Sequence, residues 1–364
     1  MKILHAITSL YTGGAERLMV ELLPLLKENG NNQVDLLLIN GVETQFKKTI
    51  VQKGLNLISL STTNDVYNPK NIMRMRPYMR QYDIIHTHNT ACQLFVPISL
   101  LFTAANPLLV TTEHNAINRR RTRRWMKPVD RWMYSRYNAI VCIADQTRQN
   151  LEDYIGKQDK IHTIYNGVDI SRFIRPIKDV SANDQYVITM VSAYRVQKDH
   201  ETLMRAMTHL PDNYRLQLVG GGEKADSERL HSYCNDLGIA DRVAFMGVRQ
   251  DIPEILEQSD FVVLSSHWEG LSLSCIEGMA SGRPFIASDV DGLREVVGGV
   301  GALFAHGDDR ALSDIILRLS ANPDEYKTVA TRCQEKASEY DISVMASNYL
   351  RLYKSLINSK GIEK

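Results

Sequence analysis

The chain has 364 residues, 44% hydrophobic and 23% charged, a length that favours two domains and a composition that excludes disordered and fibrous classes. Its 43 basic and 42 acidic side chains nearly cancel, so overall charge gives no argument for nucleic acid as a partner. Five widely spaced cysteines, Cys92, Cys142, Cys234, Cys275 and Cys333, lack metal-type spacing and read as reduced thiols.

In chain order, KILHAI, QVDLLLI, LNLISL, DIIHTH, LLVTTEH, AIVCIA and KIHTIYN are short β-branched or Leu-rich runs with helical stretches between them. This βαβ alternation predicts a doubly wound parallel sheet over residues 1–170. Leu18, Leu22, Leu25 and Leu26 fall at helical spacing between the first two runs, and Gly30 is placed to stop that helix. The opening MKILHAITSL reads as a first strand, not a signal peptide, and no run approaches the ~18–20 apolar residues of a spanning helix, so a cytoplasmic protein is expected.

Pro, Ser, Asn and charges replace apolar periodicity over 171–186, which is predicted to be an inter-domain linker. YVITMVSA, YRLQLVG, RVAFMG, FVVLSS and RPFIASD then restart the pattern and predict a second parallel α/β domain over 187–339. Met345, Tyr349, Leu352, Tyr353 and Leu356 mark a final helix in 340–364, expected to pack back on the first domain.

In open α/β sheets ligands bind beyond the carboxyl ends of strands. There FVVLSS leads into Trp268, Glu269 and Gly270, followed by a short helix closed by Gly282. Gly270 permits close backbone approach, and amides at Leu271, Ser272, Leu273 and Ser274 would face an anion such as a diphosphate at the helix N-terminus. Glu277 could accept from ribose hydroxyls and Glu269 could face a sugar; the alternative is that both are solvated surface residues. Gly13 and Gly14 form either a close-approach loop for phosphate or sugar, or a plain tight turn. Arg195 and Lys198 follow a strand and suit a departing diphosphate, unless Lys198 is a solvated loop residue. His114 ends an apolar strand, as do His86 and His88, which rank lower.

Taken in order, TGGAER, HTHN, TTEHN, NGVD, QKDHETL, LVGGGE and WEGLSLSCIEGMASGRPFIASDVDGLREVV resemble glycosyltransferase family 4, the retaining enzymes of the GT-B fold. The likeness runs over nearly the whole chain, and the two glutamates stand at the family's spacing. It implies an α/β GT-B fold, two Rossmann-like domains facing a cleft, with the first on the acceptor side and the second holding a UDP- or GDP-sugar. It implies that Gly13 and Gly14 face the donor diphosphate, that His114 contacts the donor sugar, that Gly220 borders the nucleotide, and that the backbone near Val248 and Arg249 reads the base. Similar enzymes carry an Arg five residues before Lys198; this chain has Ala193 there, with Arg195 as a shifted substitute. No cofactor is implied beyond the nucleotide-sugar substrate. No DxD-type pair follows a strand of the first domain, so metal independence is expected. The acceptor implied is a cell-surface polysaccharide or lipid-linked glycan. A non-catalytic nucleotide- or sugar-binding protein on the same scaffold is the alternative, and a dehydrogenase is disfavoured by the missing glycine fingerprint.

Residues 118–137, NRRRTRRWMKPVDRWMYSRY, are strongly basic and aromatic. Arg120, Arg121, Arg123, Arg124 and Trp125 suit an anionic membrane surface or the phosphate of a lipid-linked acceptor; a solvated helix face is the alternative.

Overall fold

The structure is a computed structural model that describes residues 1–361 except 12, 115–120, 122 and 181–183, and omits the side chain of Arg124. The chain forms two compact units, Met1–Gly167 with Ile342–Lys364, and Val168–Asp341.

In the first unit, β1 (Lys2–Ile7), β2 (Gln33–Asn40), β3 (Asn56–Ser61), β4 (Ile84–His88), β5 (Leu108–Glu113), β6 (Ala139–Cys142) and β7 (Ile161–Thr163) build one sheet in the order β3-β2-β1-β4-β5-β6-β7. Every pairing is parallel. All seven strands were legible as apolar runs because a parallel sheet is covered on both faces and needs little polar alternation. The order reverses between β1 and β4, where His5 stands directly opposite His86. The two-residue period of β4 then puts His86 and His88 on one face.

One face of this sheet packs against the helix Gly14–Glu28, through Leu18, Leu22 and Leu26, and against the helix Ile342–Ser359, through Met345, Ala346, Tyr349 and Tyr353. The stripe Ile342, Met345, Ala346, Tyr349, Leu350 and Tyr353 is fully or almost fully buried, so the last helix is part of the first unit's core. The opposite face, through Leu4, Ile85 and Ile140 among others, packs with Phe95, Val96, Met133 and Tyr134.

In the second unit, β8 (Tyr186–Val191), β9 (Tyr214–Val219), β10 (Val243–Gly247), β11 (Phe261–Leu264), β12 (Phe285–Ser288) and β13 (Ala302–Phe304) are again all parallel, in the order β10-β9-β8-β11-β12-β13. The order reverses between β8 and β11, which puts the loops after these two strands at the switch point.

The stretch 171–186 departs from the linker expected of it. Among its described residues Phe173 and Val180 are buried, Arg175 donates to Glu257 at 2.8 Å, and Lys178 pairs with Asp260 at 2.8 Å. These contacts hold it on the second unit, and the chain passes between units at 167–168 and 341–342. Low apolar periodicity concealed this, because an irregular segment held by ion pairs and two apolar anchors leaves no period.

Candidate functional site

The loops after β8 and β11 meet through one charged pair. Lys198 ends a single 3-10 turn, Val196–Lys198, and its Nζ bonds the carboxylate of Glu269. Glu269 also accepts from Ser266 Oγ at 2.6 Å, and its side chain is 6% exposed, which removes the solvated-loop alternative. Further bonds join the same loops: Gln197 Nε2 donates to the Trp268 carbonyl at 2.8 Å, His267 N to the Gln197 carbonyl at 2.8 Å, and Ser265 Oγ to the Asp199 carbonyl at 2.8 Å.

Asp199 sits in the left-handed region at φ 48°, a conformation that costs a non-glycine residue on the order of 1–3 kcal/mol. It is held there by its own carboxylate, which caps the helix His200–His209 by accepting from Thr202 N at 3.2 Å and Thr202 Oγ1 at 2.6 Å. The sharp turn that results delivers Lys198 to Glu269. Its signal was present in the sequence as an Asp three residues before a Thr at a helix start. Arg195 is exposed at the head of the 3-10 turn and stands outside this pair.

The helix Leu273–Ala280 follows. Ser272 occupies its N-cap, yet Ser272 Oγ bonds Ser274 Oγ at 3.1 Å and makes no bond to the first-turn amides. Those amides are the groups an anion would take. A Cβ at Gly270 would meet nothing within 4 Å, so this position is open. Gly292 has the opposite character: at φ 83°, its Cβ would lie 2.4 Å from the Gly270 carbonyl oxygen and 2.6 Å from that of Glu269. Only glycine lets the segment after β12 back this loop. Leu271 and Ser272 are buried, and Glu277, in the second turn of the helix, is 5% exposed, which removes the reading of it as an exposed helix residue.

Other expected donor contacts divide. Gly220 has φ 150° and its Cβ would fall 1.9 Å from the Ser192 carbonyl oxygen, while a Cβ at Gly222 would fall 2.5 Å from that of Tyr194. These glycines let the ends of β8 and β9 pack closely. Val248 is 82% exposed, and the Arg249 guanidinium is held by Asp251 through bonds of 2.8 and 2.5 Å. Asp199, His267 and His306 bring ligand-type atoms within 4.8 Å of one another, with His267 Nδ1 and His306 Nε2 2.5 Å apart. His306 follows β13, a three-residue strand too short to read from sequence, and nothing in the pattern announced it.

In the first unit, Gly13 is extended and Gly14 opens the helix Gly14–Glu28. A Cβ at Gly13 would meet only the movable carboxylate of Glu16, and one at Gly14 would meet nothing. The histidines form a larger cluster than the sequence indicated. His5 Nδ1 lies 3.0 Å from His88 Nε2, and His88 Nδ1 lies 2.9 Å from His114 Nε2. His86 bonds Tyr353 OH at 2.5 Å and Thr112 Oγ1 at 2.7 Å, and Thr112 Oγ1 bonds Tyr349 OH at 3.1 Å. Burial holds the rings neutral: His5 is pushed down to about 3 and His114 to about 4, with His86 and His88 well below their ordinary value. His5, His86 and His88 also place ring nitrogens within 4.8 Å, the second metal-type cluster among the described residues. The signal for this arrangement was the H-x-H of β4, whose period puts both rings on one face.

The basic segment is corrected in part. Arg121 turns inward: Nη2 donates to Glu113 Oε2 at 2.6 Å and to Tyr134 OH at 3.2 Å, and its side chain is 9% exposed. It neutralises a buried carboxylate that also accepts from Gln93 Nε2 and Tyr134 OH, each at 2.7 Å, and so cannot face a membrane. Tyr134 and Tyr137 are buried too. Arg123 is exposed, as is Trp125 at 68%; Arg120 and the Arg124 side chain lie outside the described residues. Arg123 lines a cavity of about 370 Å³ with Tyr67, Leu94, Met126 and Val129. Among the described residues no helix is long and apolar enough to cross a membrane.

Two all-parallel sheets, one in each unit, give the α/β arrangement of the GT-B fold. A model described as Glycosyltransferase Family 4 matches residues 12–172, and one described as Glycosyl transferases group 1 matches residues 185–322. The chain belongs to the group 1 glycosyltransferases of family 4 and is an enzyme. It is 26% identical over 316 residues, 80% of each chain, to the UDP-Gal:alpha-D-GlcNAc-diphosphoundecaprenol alpha-1,3-galactosyltransferase of Escherichia coli. It is 26% identical over 219 residues, 56% of each chain, to the N,N'-diacetylbacillosaminyl-diphospho-undecaprenol alpha-1,3-N-acetylgalactosaminyltransferase of Campylobacter jejuni. The fold matches that of Anabaena HepE in complex with UDP, with a TM-score of 0.85 at 22% identity over 98% of this chain and 100% of that one.

Two outcomes follow from this geometry. Gly292→Ala should cost about 1–3 kcal/mol in urea unfolding, from strain at positive φ and contact with two carbonyls, whereas Gly270→Ala should leave stability within about 0.5 kcal/mol. Acid should weaken the first unit in a histidine-specific window. Neutral in the folded state and protonated in the unfolded one, the buried rings stabilise fully above about 6.5 and lose that contribution as pH falls toward their folded values near 3 and 4. The urea midpoint should therefore drop between pH 7 and pH 5, where few carboxylates titrate; a flat midpoint would contradict neutral burial.

Proposed function

We propose that this enzyme transfers a sugar, with retention of anomeric configuration, from a nucleoside-diphosphate sugar to an acceptor hydroxyl in the assembly of a polysaccharide or lipid-linked glycan. The observation that carries the reading is the arrangement at the β8/β11 switch point: Lys198 on Glu269 beside the uncapped head of the helix Leu273–Ala280, with Glu277 buried one turn further in.

Cleavage of the donor concentrates charge on the departing diphosphate. Lys198 and the amides at Leu271, Ser272 and Leu273 stabilise that charge, with Gly270 leaving room for the ligand, and Arg195 adds a second cation from the exposed turn. Phosphate oxygens compete with Glu269 for Lys198 Nζ, and the released Glu269 then orients sugar hydroxyls. Glu277 accepts from the ribose. In the first unit His114 contacts the sugar, and the Gly13–Gly14 helix head contributes to the diphosphate. The two glutamates serve different parts of the donor, unlike the paired carboxylates of a retaining glycosidase, so neither is assigned as nucleophile. Gly220 shapes the turn bordering the nucleotide, and the backbone at Val248 and Arg249 reads the base. The donor named for the E. coli relative and the UDP bound to HepE favour uridine over guanosine.

Lys198→Ala should lower kcat by about 10²–10³-fold, the usual effect of removing one donor to a developing charge. Glu277→Gln should weaken nucleotide affinity about tenfold. A panel of UDP- and GDP-sugars, scored by thermal shift, hydrolysis and the anomer formed, checks both. Wild-type affinity and turnover in the two variants would overturn the assignments.

The diphospho-undecaprenol acceptors named for the two relatives support a lipid-linked acceptor, and with it peripheral association at the inner membrane face. Arg123 and exposed Trp125, beside a cavity lined by Leu94, Met126 and Val129, supply a cation and apolar contact for such a substrate. Wild-type protein should co-sediment with anionic liposomes, and Arg123→Glu with Trp125→Ser should reduce the bound fraction several-fold. Equal binding, or none in the wild type, would refute the membrane reading.

A further inference from the structure

We infer that His5 and His88 are positioning residues that hold His114 in its Nδ1-protonated form, so that the ring offers the sugar a hydrogen-bond donor and not a lone pair. This rests on the proposed contact between His114 and the donor sugar.

Each neutral imidazole carries one N–H and one lone pair. His88 is engaged at both nitrogens, Nε2 with His5 Nδ1 at 3.0 Å and Nδ1 with His114 Nε2 at 2.9 Å, so it donates on one side and accepts on the other. Only two arrangements of the three rings satisfy both bonds. In one, His5 Nδ1–H donates to His88, His88 Nδ1–H donates to His114 Nε2, and His114 keeps its proton on Nδ1. In the other every bond reverses, His114 Nδ1 is a bare lone pair, and His5 carries its proton on Nε2.

The far end of the chain decides between them. His5 Nε2 is buried and has no hydrogen-bond partner among the described residues. The reversed arrangement would leave an N–H there without an acceptor, and orphaned buried N–H groups are rarer than acceptors short of a donor. The first arrangement leaves only a lone pair at that site. Burial of the rings keeps the count valid, because each remains neutral near pH 7.

The surroundings hold the relay without joining it. His86 spends its nitrogens on Tyr353 OH and Thr112 Oγ1 and stacks on His88 with ring centroids 4.3 Å apart. Glu113, next to His114 in the chain, accepts from Arg121, Gln93 and Tyr134. A metal among His5, His86 and His88 would have to break bonds at His86 and His88, since among the described residues His5 Nε2 alone of those ring nitrogens has no hydrogen-bond partner.

Proton–nitrogen NMR of the full-length wild-type chain, labelled in its histidine rings, reads the tautomer directly. His114, assigned through His114→Gln, should be neutral and Nδ1-protonated near neutral pH; an Nε2-protonated or charged ring overturns the proposal without recourse to any relay variant. His88→Leu should then release that tautomer and lower kcat about tenfold, while affinity for UDP or GDP, which lack the sugar, stays within about twofold. His88→Asn, whose amide N–H can reach the same nitrogen, should recover most of kcat. Equal losses in both variants with the tautomer unchanged would also overturn it. No binding of either nucleotide by wild type would instead refute the donor-site reading, and the tautomer would still be legible.

Discussion

Glu269 carries a carboxylate into surroundings that leave its side chain 6% exposed, and such a charge persists only with a cation and hydrogen bonds around it. Lys198 and Ser266 provide these, and the requirement propagates outward. Lys198 reaches the carboxylate because Asp199 accepts a left-handed backbone, and Asp199 holds that backbone by capping the next helix. On the other side, Gly292 lets the segment after β12 support the Glu269 and Gly270 carbonyls. Strain, cap, ion pair and glycine contact form one chain of dependence, and the head of the helix Leu273–Ala280 is left open at its end.

The first unit follows a different principle. Its histidines meet near the sheet's switch point as neutral rings joined one to the next, from His5 through His88 to His114. Neutral groups bury at lower cost than charges and hold direction through hydrogen bonds. One unit thus buries its polar groups as an ion pair, and the other buries neutral rings oriented by hydrogen bonds.

Sequence reasoning succeeded where geometry has a period or a punctuation mark. Twelve of the thirteen described strands were visible as apolar runs, and the helix Leu273–Ala280 was framed by Gly270 and Gly282. It failed where the deciding contact is distant in sequence. Arg121 looked like part of an exposed basic run until Glu113 was seen to take it. Residues 171–186 looked like a linker because partners such as Glu257 and Asp260 lie some 80 residues away. Gly220 was expected to border the nucleotide, and its φ and the nearby Ser192 carbonyl show a packing duty that the sequence did not indicate. His86, His88 and His114 were visible as strand-end histidines, but His5 was missed, because its bonding depends on the register of β1 against β4, which no local pattern records.

The return of Ile342–Ser359 to the first core has a consequence for biosynthesis. The apolar stripe of that helix shares a core with Leu18 and Leu22 of a helix that leaves the ribosome before any of the second unit is made. The whole of Val168–Asp341 emerges in between, and at about 5–20 residues per second the early helix waits on the order of ten seconds or more for its cover. The second unit therefore has its full sequence available first, although it comes later in the chain, and a nascent chain stalled inside it carries an unfinished first core.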